Sequence, residues 1–332
     1  MENLSTDRQA NGHMFVKLRA SSLVSVLAVL LLALSLSVIN AESQIMFGGS
    51  AQQPKGTPAE WQAIEKAIGR SGSLQPGDIF RIGLPRTDLE VTVRGLRLNP
   101  ALALGSWIAF KKMGNMTTVM GDLVLTEGEV GPVMWSLQES GIDTTALHNH
   151  LLDESPRVMY MHINGHGDAL KLAEAIHRAL SHTKTPLENP SSATLEKAAA
   201  SRIDMHQLEL VLGRAGKENS GVYQFSVARA EKIIESEMEV PPAMGVATAI
   251  NFQPSENGRA AITGDFVLTA NEVNPVIRAL GENGIAVTAV HSHMLKESPR
   301  LFFMHFWAEG DALKLARGLR SALDKTNSAP RQ

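Results

Sequence analysis

Three histidines and a glutamate lie close together in Thr145-Ala-Leu-His148-Asn-His150-Leu-Leu-Asp-Glu154-Ser-Pro-Arg157-Val-Met-Tyr-Met-His162. The same arrangement returns as Thr288-Ala-Val-His291-Ser-His293-Met-Leu-Lys-Glu297-Ser-Pro-Arg300-Leu-Phe-Phe-Met-His305, at an offset of 143 residues (291 − 148). Neutral imidazole with an occasional carboxylate is the donor set that a divalent transition metal selects. The expected centres are His148, His150 and His162 with Glu154, and His291, His293 and His305 with Glu297. Each would hold a divalent ion such as Zn, Mn, Fe or Cu. The chain has no cysteine, so thiolate catalysis, disulfides and Cys-ligated clusters are excluded.

Convergence of these side chains requires particular elements. Side chains alternate along a strand, so His148 and His150 share a face, roughly 6.6 Å apart at about 3.3 Å per residue. A hairpin folded about Ser155 would set His148 opposite His162, with Cβ atoms about 5 Å apart. Glu154 then sits at the turn, as a fourth ligand or as an acceptor behind a ligand. Glu154 and Arg157, like Glu297 and Arg300, are also close enough for an ordinary turn salt bridge. Leu147, Leu151, Met159, Met161 and Ile163 take the opposite face and are expected to meet helices. The histidines therefore belong on the helix-free face, either exposed or packed against the other repeat. Histidines on a strand can also bond one another or the backbone without metal. Three imidazoles on one face contribute little to packing, which favours a site. Asp122 and Asp265 each follow a glycine inside a strand, a position that fits either a bulge or a place in the site.

From Gly121 and Gly264 onward the two copies run without a gap to Leu180 and Leu323. About half of the aligned positions are identical, which identifies an internal duplication. Within each copy a strand ends at Leu125. Thr126 and Glu129 (Thr269 and Glu272) form a capping box for a helix to about Ser140, and Gly141 closes it. Strands over Ile142–Leu152 and Val158–Asn164 follow, then a helix over Ala169–Leu180 with Leu170, Ala173, Ile176 and Leu180 inward. Thr57 and Asp204 cap a leading helix that stops at Gly69 and Gly213. Extended segments are expected at Leu89–Leu96, Ser106–Phe110 and Thr117–Leu125, matched by Tyr223–Ala228, Thr248–Phe252 and Ala260–Leu268. The order predicts an α+β fold, a tandem duplication of an open-faced antiparallel sheet with helices on one face and a β-α-β-β-α core per repeat. The expected organisation is a signal peptide or anchor over 1–41, a flexible tail over 42–56, repeat domains over 57–182 and 201–326, and a linker over 183–200.

Among 332 residues, 44% are hydrophobic and the net charge is −3, so sizeable cores are expected. Such a balance gives no electrostatic case for nucleic acid. A membrane enters only through the N-terminus. There, Lys17 and Arg19 precede an uncharged apolar run from Ala20 to Asn40, with Ala41 as a small residue for cleavage. The expected partner is a metal ion or a small molecule. No phosphate loop, Ser-His-Asp order or H-E-x-x-H helix occurs.

The repeated GD-x-VLT-x-x-EV-x-PV, TA-x-H-x-H-x-L-x-ESPR and MH…GDALKLA motifs resemble the LppY/LpqO-like family of bacterial exported proteins. The resemblance runs from about Trp61 to Leu180 and from Asp204 to Leu323. It implies export but no defined biochemical function, and this chain lacks the cysteine of a lipoprotein signal. His148-x-His150-x-x-x-Glu154 is also similar to the first cupin metal motif, which implies Mn, Fe, Zn or Ni as ligand chemistry. The nearby His162 and the helices do not fit a cupin barrel. The reading that results is an exported tandem-repeat protein with a divalent-metal site in each repeat. A metal-dependent hydrolytic or oxidative enzyme is the first alternative, and a ligand- or partner-binding module without metal is the second. Mass spectrometry of the mature protein should find a new N-terminus near Glu42. An intact, membrane-bound N-terminus would instead identify residues 20–40 as an anchor.

Overall fold

Each repeat starts with a short amphipathic helix whose ends are set by single residues. The computed structural model describes residues 58–188 and 203–330. The expected signal and tail, the Thr57 cap and linker residues 189–200 lie outside the described residues. In the first repeat, α1 (Ala59–Ile68) follows Pro58 and buries Trp61, Ile64 and Ile68. It stops at Gly69, whose φ of 86° places it in the left-handed region that glycine adopts without strain. Strands β1 (Ser73–Gln75) and β2 (Ile79–Pro85) come next. The excursion β3 (Thr92–Val93) and β4 (Leu96–Arg97) leads to the short helix α2 (Pro100–Ala103). Then β5 (Gly105–Met113), β6 (Met116–Thr126) and α3 (Glu127–Glu139) follow. The motif itself occupies β7 (Asp143–His148), β8 (Glu154–Ser155) and β9 (Val158–Gly167), with α4 (Ala169–Leu180) behind it.

The second repeat copies this order. It comprises α5 (Met205–Leu212), β10 (Gly216–Asn219), β11 (Val222–Ala228), β12 (Ile234–Glu235), β13 (Met238–Glu239), β14 (Ala247–Pro254), β15 (Arg259–Leu268), α6 (Ala270–Glu282), β16 (Ala286–His291), β17 (Phe302–Asp311) and α7 (Ala312–Leu323). The two six-stranded antiparallel sheets run β1-β2-β5-β6-β9-β7 and β10-β11-β14-β15-β17-β16. The fold is the expected α+β class with a duplicated sheet.

Helices cover one face of each sheet. Trp61, Val133, Leu137, Leu172 and Ile176 pack on Phe80, Leu123, Met161 and Ile163. The second repeat forms the matching layer from Leu208, Val276, Leu280 and Leu319 on Phe252, Phe266 and Phe306. The other faces close on each other. Ile79, Ala109 and Met120 join Met244, Val267, Met294 and Phe303 in one apolar cluster, and Leu104, Val124 and Tyr160 join Val222, Ala261 and Trp307 in another. The result is four layers, helix–sheet–sheet–helix, with the two repeats in one compact unit.

Several local expectations need correction. The strand matching β11 is Ile79–Pro85, at the same 143-residue offset, and not Leu89–Leu96, which forms the β3–β4 excursion. Glycine and proline inside Ile79–Pro85 masked its alternation. The inward stripe of α4 is Leu172, Ala173, Ile176, Ala179 and Leu180, while Leu170 is 41% exposed. Leu151 turns into the interface between repeats, and Leu147, near the end of the edge strand β7, is 40% exposed.

Arg86 carries a role that periodicity did not reveal. It is fully buried and donates to Asp88, to both oxygens of Glu129 and to the Val124 carbonyl. Glu129 also accepts from the Thr126 N–H, which closes the expected capping box. Arg229 makes the same set with Glu231, Glu272 and the Val267 carbonyl. Each network ties the end of a central strand to the start of the following helix. Arg86→Ala should destabilise the fold by about 3–5 kcal/mol, because Glu129 and Asp88 would lose their buried partner. Urea unfolding checks this, and Arg229→Ala should match it.

Candidate functional site

The histidine strands lie at the centre of the interface, and the register decides what faces what. In β6 and β9 the ladder is unbroken and sets Asp122 opposite His162. In β15 and β17 it sets Asp265 opposite His305. The aspartates therefore sit in regular strands with their side chains on the histidine face. The glycine before each permits close packing: a Cβ on Gly264 would lie 2.0 Å from the Ala249 carbonyl oxygen, and one on Gly121 would lie 2.8 Å from that of Trp107. The bulge is instead in β7, between Thr144 and Ala146, and in β16, between Val287 and Ala289.

That bulge aims a threonine across the interface. The Thr145 hydroxyl donates to the His293 carbonyl at 2.6 Å, and the Thr288 hydroxyl donates to the His150 carbonyl at 2.5 Å. Each repeat thus fixes the backbone of the other repeat's middle histidine. The duplicated threonine in the motif was the available signal, but its partner is unreadable without the fold.

The hairpin register differs by two residues from the expectation. Ala146 pairs with His162, and His148 pairs with Tyr160. A shift of two preserves the face, so His148, His150 and His162 still point the same way. The shift arises because residues 149–157 form no tight turn; Glu154 and Ser155 pair with β3 instead.

All six histidines of the two motifs converge. Rings from opposite repeats stack in pairs: His148 on His291 at 3.7 Å, His150 on His305 at 3.7 Å and His162 on His293 at 3.6 Å. One ring nitrogen each from His148, His291, His293 and His305 falls within 4.8 Å of the others. This four-histidine group can hold a metal ion. The group draws on both repeats, which the packing of one helix-free face on the other brings together. His291 Nε2 and His293 Nε2 are 2.9 Å apart.

The glutamates are not part of that four-histidine group. Glu154 accepts from the Val158 N–H at 3.4 Å, and Glu297 from the Leu301 N–H at 3.0 Å. Glu297 also makes the expected turn bridge to Arg300, at 3.1 Å. One oxygen of each carboxylate accepts from the backbone four residues ahead, where the loop re-enters the sheet, and Glu154 Oε2 is buried without a hydrogen-bond partner. The carboxylates that do face the imidazoles are Asp122, 3.8 Å from His162 Nε2, and Asp265, 3.5 Å from His293 Nε2.

Hydrogen bonding fixes which nitrogen is free. His305 Nδ1 donates to the Gly264 carbonyl at 2.9 Å and His148 Nδ1 to the Asn149 carbonyl at 3.3 Å, leaving the lone pair on Nε2. Among the described residues, Nε2 of His148, His150, His162 and His305 is buried with no hydrogen-bond partner, as are Oδ1 of Asp122 and of Asp265. Burial lowers the His148 pKa to about 4 and that of His305 to about 3, and holds His150, His162 and His293 well below the ordinary value. The rings are therefore neutral, the ligating form. Burial raises Asp122 to about 7, partly offset by Arg81, and pushes Asp265 well above the usual range.

Two aromatic residues of the motifs complete the centre. Tyr160 stacks on His150 at 3.2 Å while its hydroxyl donates to the Ala103 carbonyl. Phe303 occupies the matching place on His293 at 3.6 Å. Neither aromatic offered a signal in the sequence beyond its place in a strand. Arg81 lies over the Trp107 ring and donates to the Ala243 carbonyl.

The raised Asp122 pKa has a defined consequence for the metal-free chain. A carboxyl whose folded pKa exceeds its unfolded value contributes fully below the unfolded pKa, near 3.8, and loses that contribution as pH rises to about 7. Asp122→Asn keeps the neutral form at every pH. It should stabilise the metal-free chain at pH 8, on the order of a few kcal/mol, and change little at pH 4. Thermal denaturation in the presence of a chelator at both pH values checks the sign.

No curated protein matches this chain. Two solved structures overlap it weakly. The trimeric bacterial microcompartment shell protein PduB is 14% identical, with 76% of this chain and 89% of that chain covered and a TM-score of 0.21. EtuB from Clostridium kluyveri is 10% identical, with 76% and 88% covered and a TM-score of 0.19. At such scores neither supports a statement about fold or function. The sequence profile of one family matches residues 62–182 and again 206–325, one match per repeat. With both histidine motifs inside these matches, the chain belongs to the family described as Domain of Unknown Function (DUF1259).

Proposed function

We propose that this is an exported protein whose paired repeats hold a divalent transition metal at the face between them. The carrying observation is the four-histidine group, with ring nitrogens from both repeats within 4.8 Å of one another and buried nitrogens lacking partners. A buried polar atom without a partner is costly, and a metal ion removes that cost for several atoms at once. Imidazole-rich coordination suits zinc, copper and iron better than manganese. Export rests on the charged N-terminal segment and apolar run, together with the resemblance to exported proteins.

A small cleft lined by Trp107, Thr145, His162, Met244, His293 and Met294 lies beside the centre. The cleft borders His162 and His293, and an opening beside the donors favours metal-dependent hydrolysis as the second reading.

The test is elemental analysis of the full chain purified without a histidine tag, paired with thermal denaturation. Metal at a hundredfold excess over its dissociation constant should stabilise the fold by about 2.7 kcal/mol, and a chelator should remove that gain. His148→Ala combined with His291→Ala should abolish both metal content and stabilisation. A wild-type chain free of metal and unaffected by added zinc, copper or iron would leave a purely structural histidine cluster.

A further inference from the structure

Six imidazoles and two carboxylates face one another in this centre, more donors than a single ion accepts. Zinc takes four ligands, and a six-coordinate ion would still leave two donors over. The four-histidine group leaves out His150 and His162, whose Nε2 atoms are buried without partners, and Asp122 Oδ1 is in the same condition.

Ring spacing leaves room for two ions. With metal–nitrogen bonds of about 2.0–2.1 Å, rings on one ion at ordinary angles have centroids about 4.5–5.5 Å apart. Within the first repeat His148 lies 5.1 Å from both His150 and His162. Within the second, His291 lies 4.8 Å from both His293 and His305. These spacings fit one ion per repeat, and His148 also lies 5.3 Å from His293 and from His305, within reach of the other set. The pairs stacked across the interface lie closer, at 3.6–3.7 Å, a spacing that suits two neighbouring ions. The stacked rings are inclined by 20–29°, so their planes run roughly side by side. His293 and His305 are wider apart, 6.3 Å, and Asp265 lies beside His293, 3.5 Å from its Nε2.

We propose that the centre is dinuclear. One divalent transition-metal ion is held by His148, His150, His162 and Asp122, and the other by His291, His293, His305 and Asp265. The ions sit at about the spacing of the stacked rings, 3.6–3.7 Å, within the ~3.5–4 Å of two-metal sites. This rests on the metal reading above and adds the second ion, its adjacency and the two aspartates as ligands. Each aspartate lies directly across the ladder from a histidine of its own set.

The test uses the full chain without a histidine tag, stripped by chelator, reloaded with Zn²⁺ and desalted, with zinc counted by elemental mass spectrometry. Two zinc ions per chain are expected, falling to about one in His150→Ala and in Asp122→Asn, with circular dichroism unchanged. His150→Gln, closer in size and polarity, replaces the alanine variant if that fails to fold. One zinc per wild-type chain overturns the dinuclear proposal and leaves the metal reading standing, whereas none overturns both. Two ions that survive His150→Ala and Asp122→Asn overturn the ligand assignment. Loading with Co²⁺ tests adjacency: magnetic coupling between the two ions is expected, and two uncoupled ions overturn the shared centre.

Discussion

The pressing together of two helix-free sheet faces is the constraint on which the remaining features depend. A single repeat covers one face of its sheet with helices and leaves Met120, Val124 and Tyr160, or Val267, Phe303 and Trp307, on the other. Duplication supplies a complementary surface from the same chain, and both faces become buried. The reciprocal bonds from Thr145 to the His293 carbonyl and from Thr288 to the His150 carbonyl fix how the faces meet. These bonds originate in strand bulges, so a local irregularity in each repeat sets the geometry of the pair.

Burial gives the centre its chemistry as well as its shape. Between two apolar clusters, an imidazole is held neutral and a carboxyl resists ionisation. Arg81 is the cation that acts on Asp122, and its own pKa falls to about 10 through burial. Unpartnered nitrogens and oxygens in such a place oppose folding. The arrangement sacrifices stability in the metal-free chain for a preformed set of donors, as ligand centres commonly do. The buried networks around Arg86 and Arg229 act in the opposite sense, since nearly every donor there meets an acceptor.

The repeats agree at the donors and differ around them. His148, His150, His162 and Asp122 each have an identical counterpart, whereas Tyr160 stands opposite Phe303 in role. Trp107 pairs with Asp122 on the ladder where Ala249 pairs with Asp265. The cleft opens beside Trp107, so the two halves of a nearly symmetric centre meet solvent differently.

Much of this was legible in one dimension. The constant 143-residue offset identified the duplication, capping boxes and glycine stops located helices, and strand parity placed three histidines of each repeat on the face away from the helices. These are consequences of local periodicity, which the sequence carries directly. Strand parity survived even the two-residue error in hairpin register, because a shift of two leaves every side chain on its original face. The sequence could not separate Glu154 from Asp122 as the carboxylate facing the imidazoles. Glu154 is closer along the chain, but its side chain turns to the Val158 N–H, while Asp122 arrives from a neighbouring strand. Nor could it join the two histidine sets. Stacking of His148 on His291 and of His162 on His293 depends on how two sheets dock, and docking is settled by apolar surfaces and threonine bonds far apart in sequence. The residue types specified a ligand chemistry, and only the tertiary structure, by packing one sheet on the other, made it a single centre.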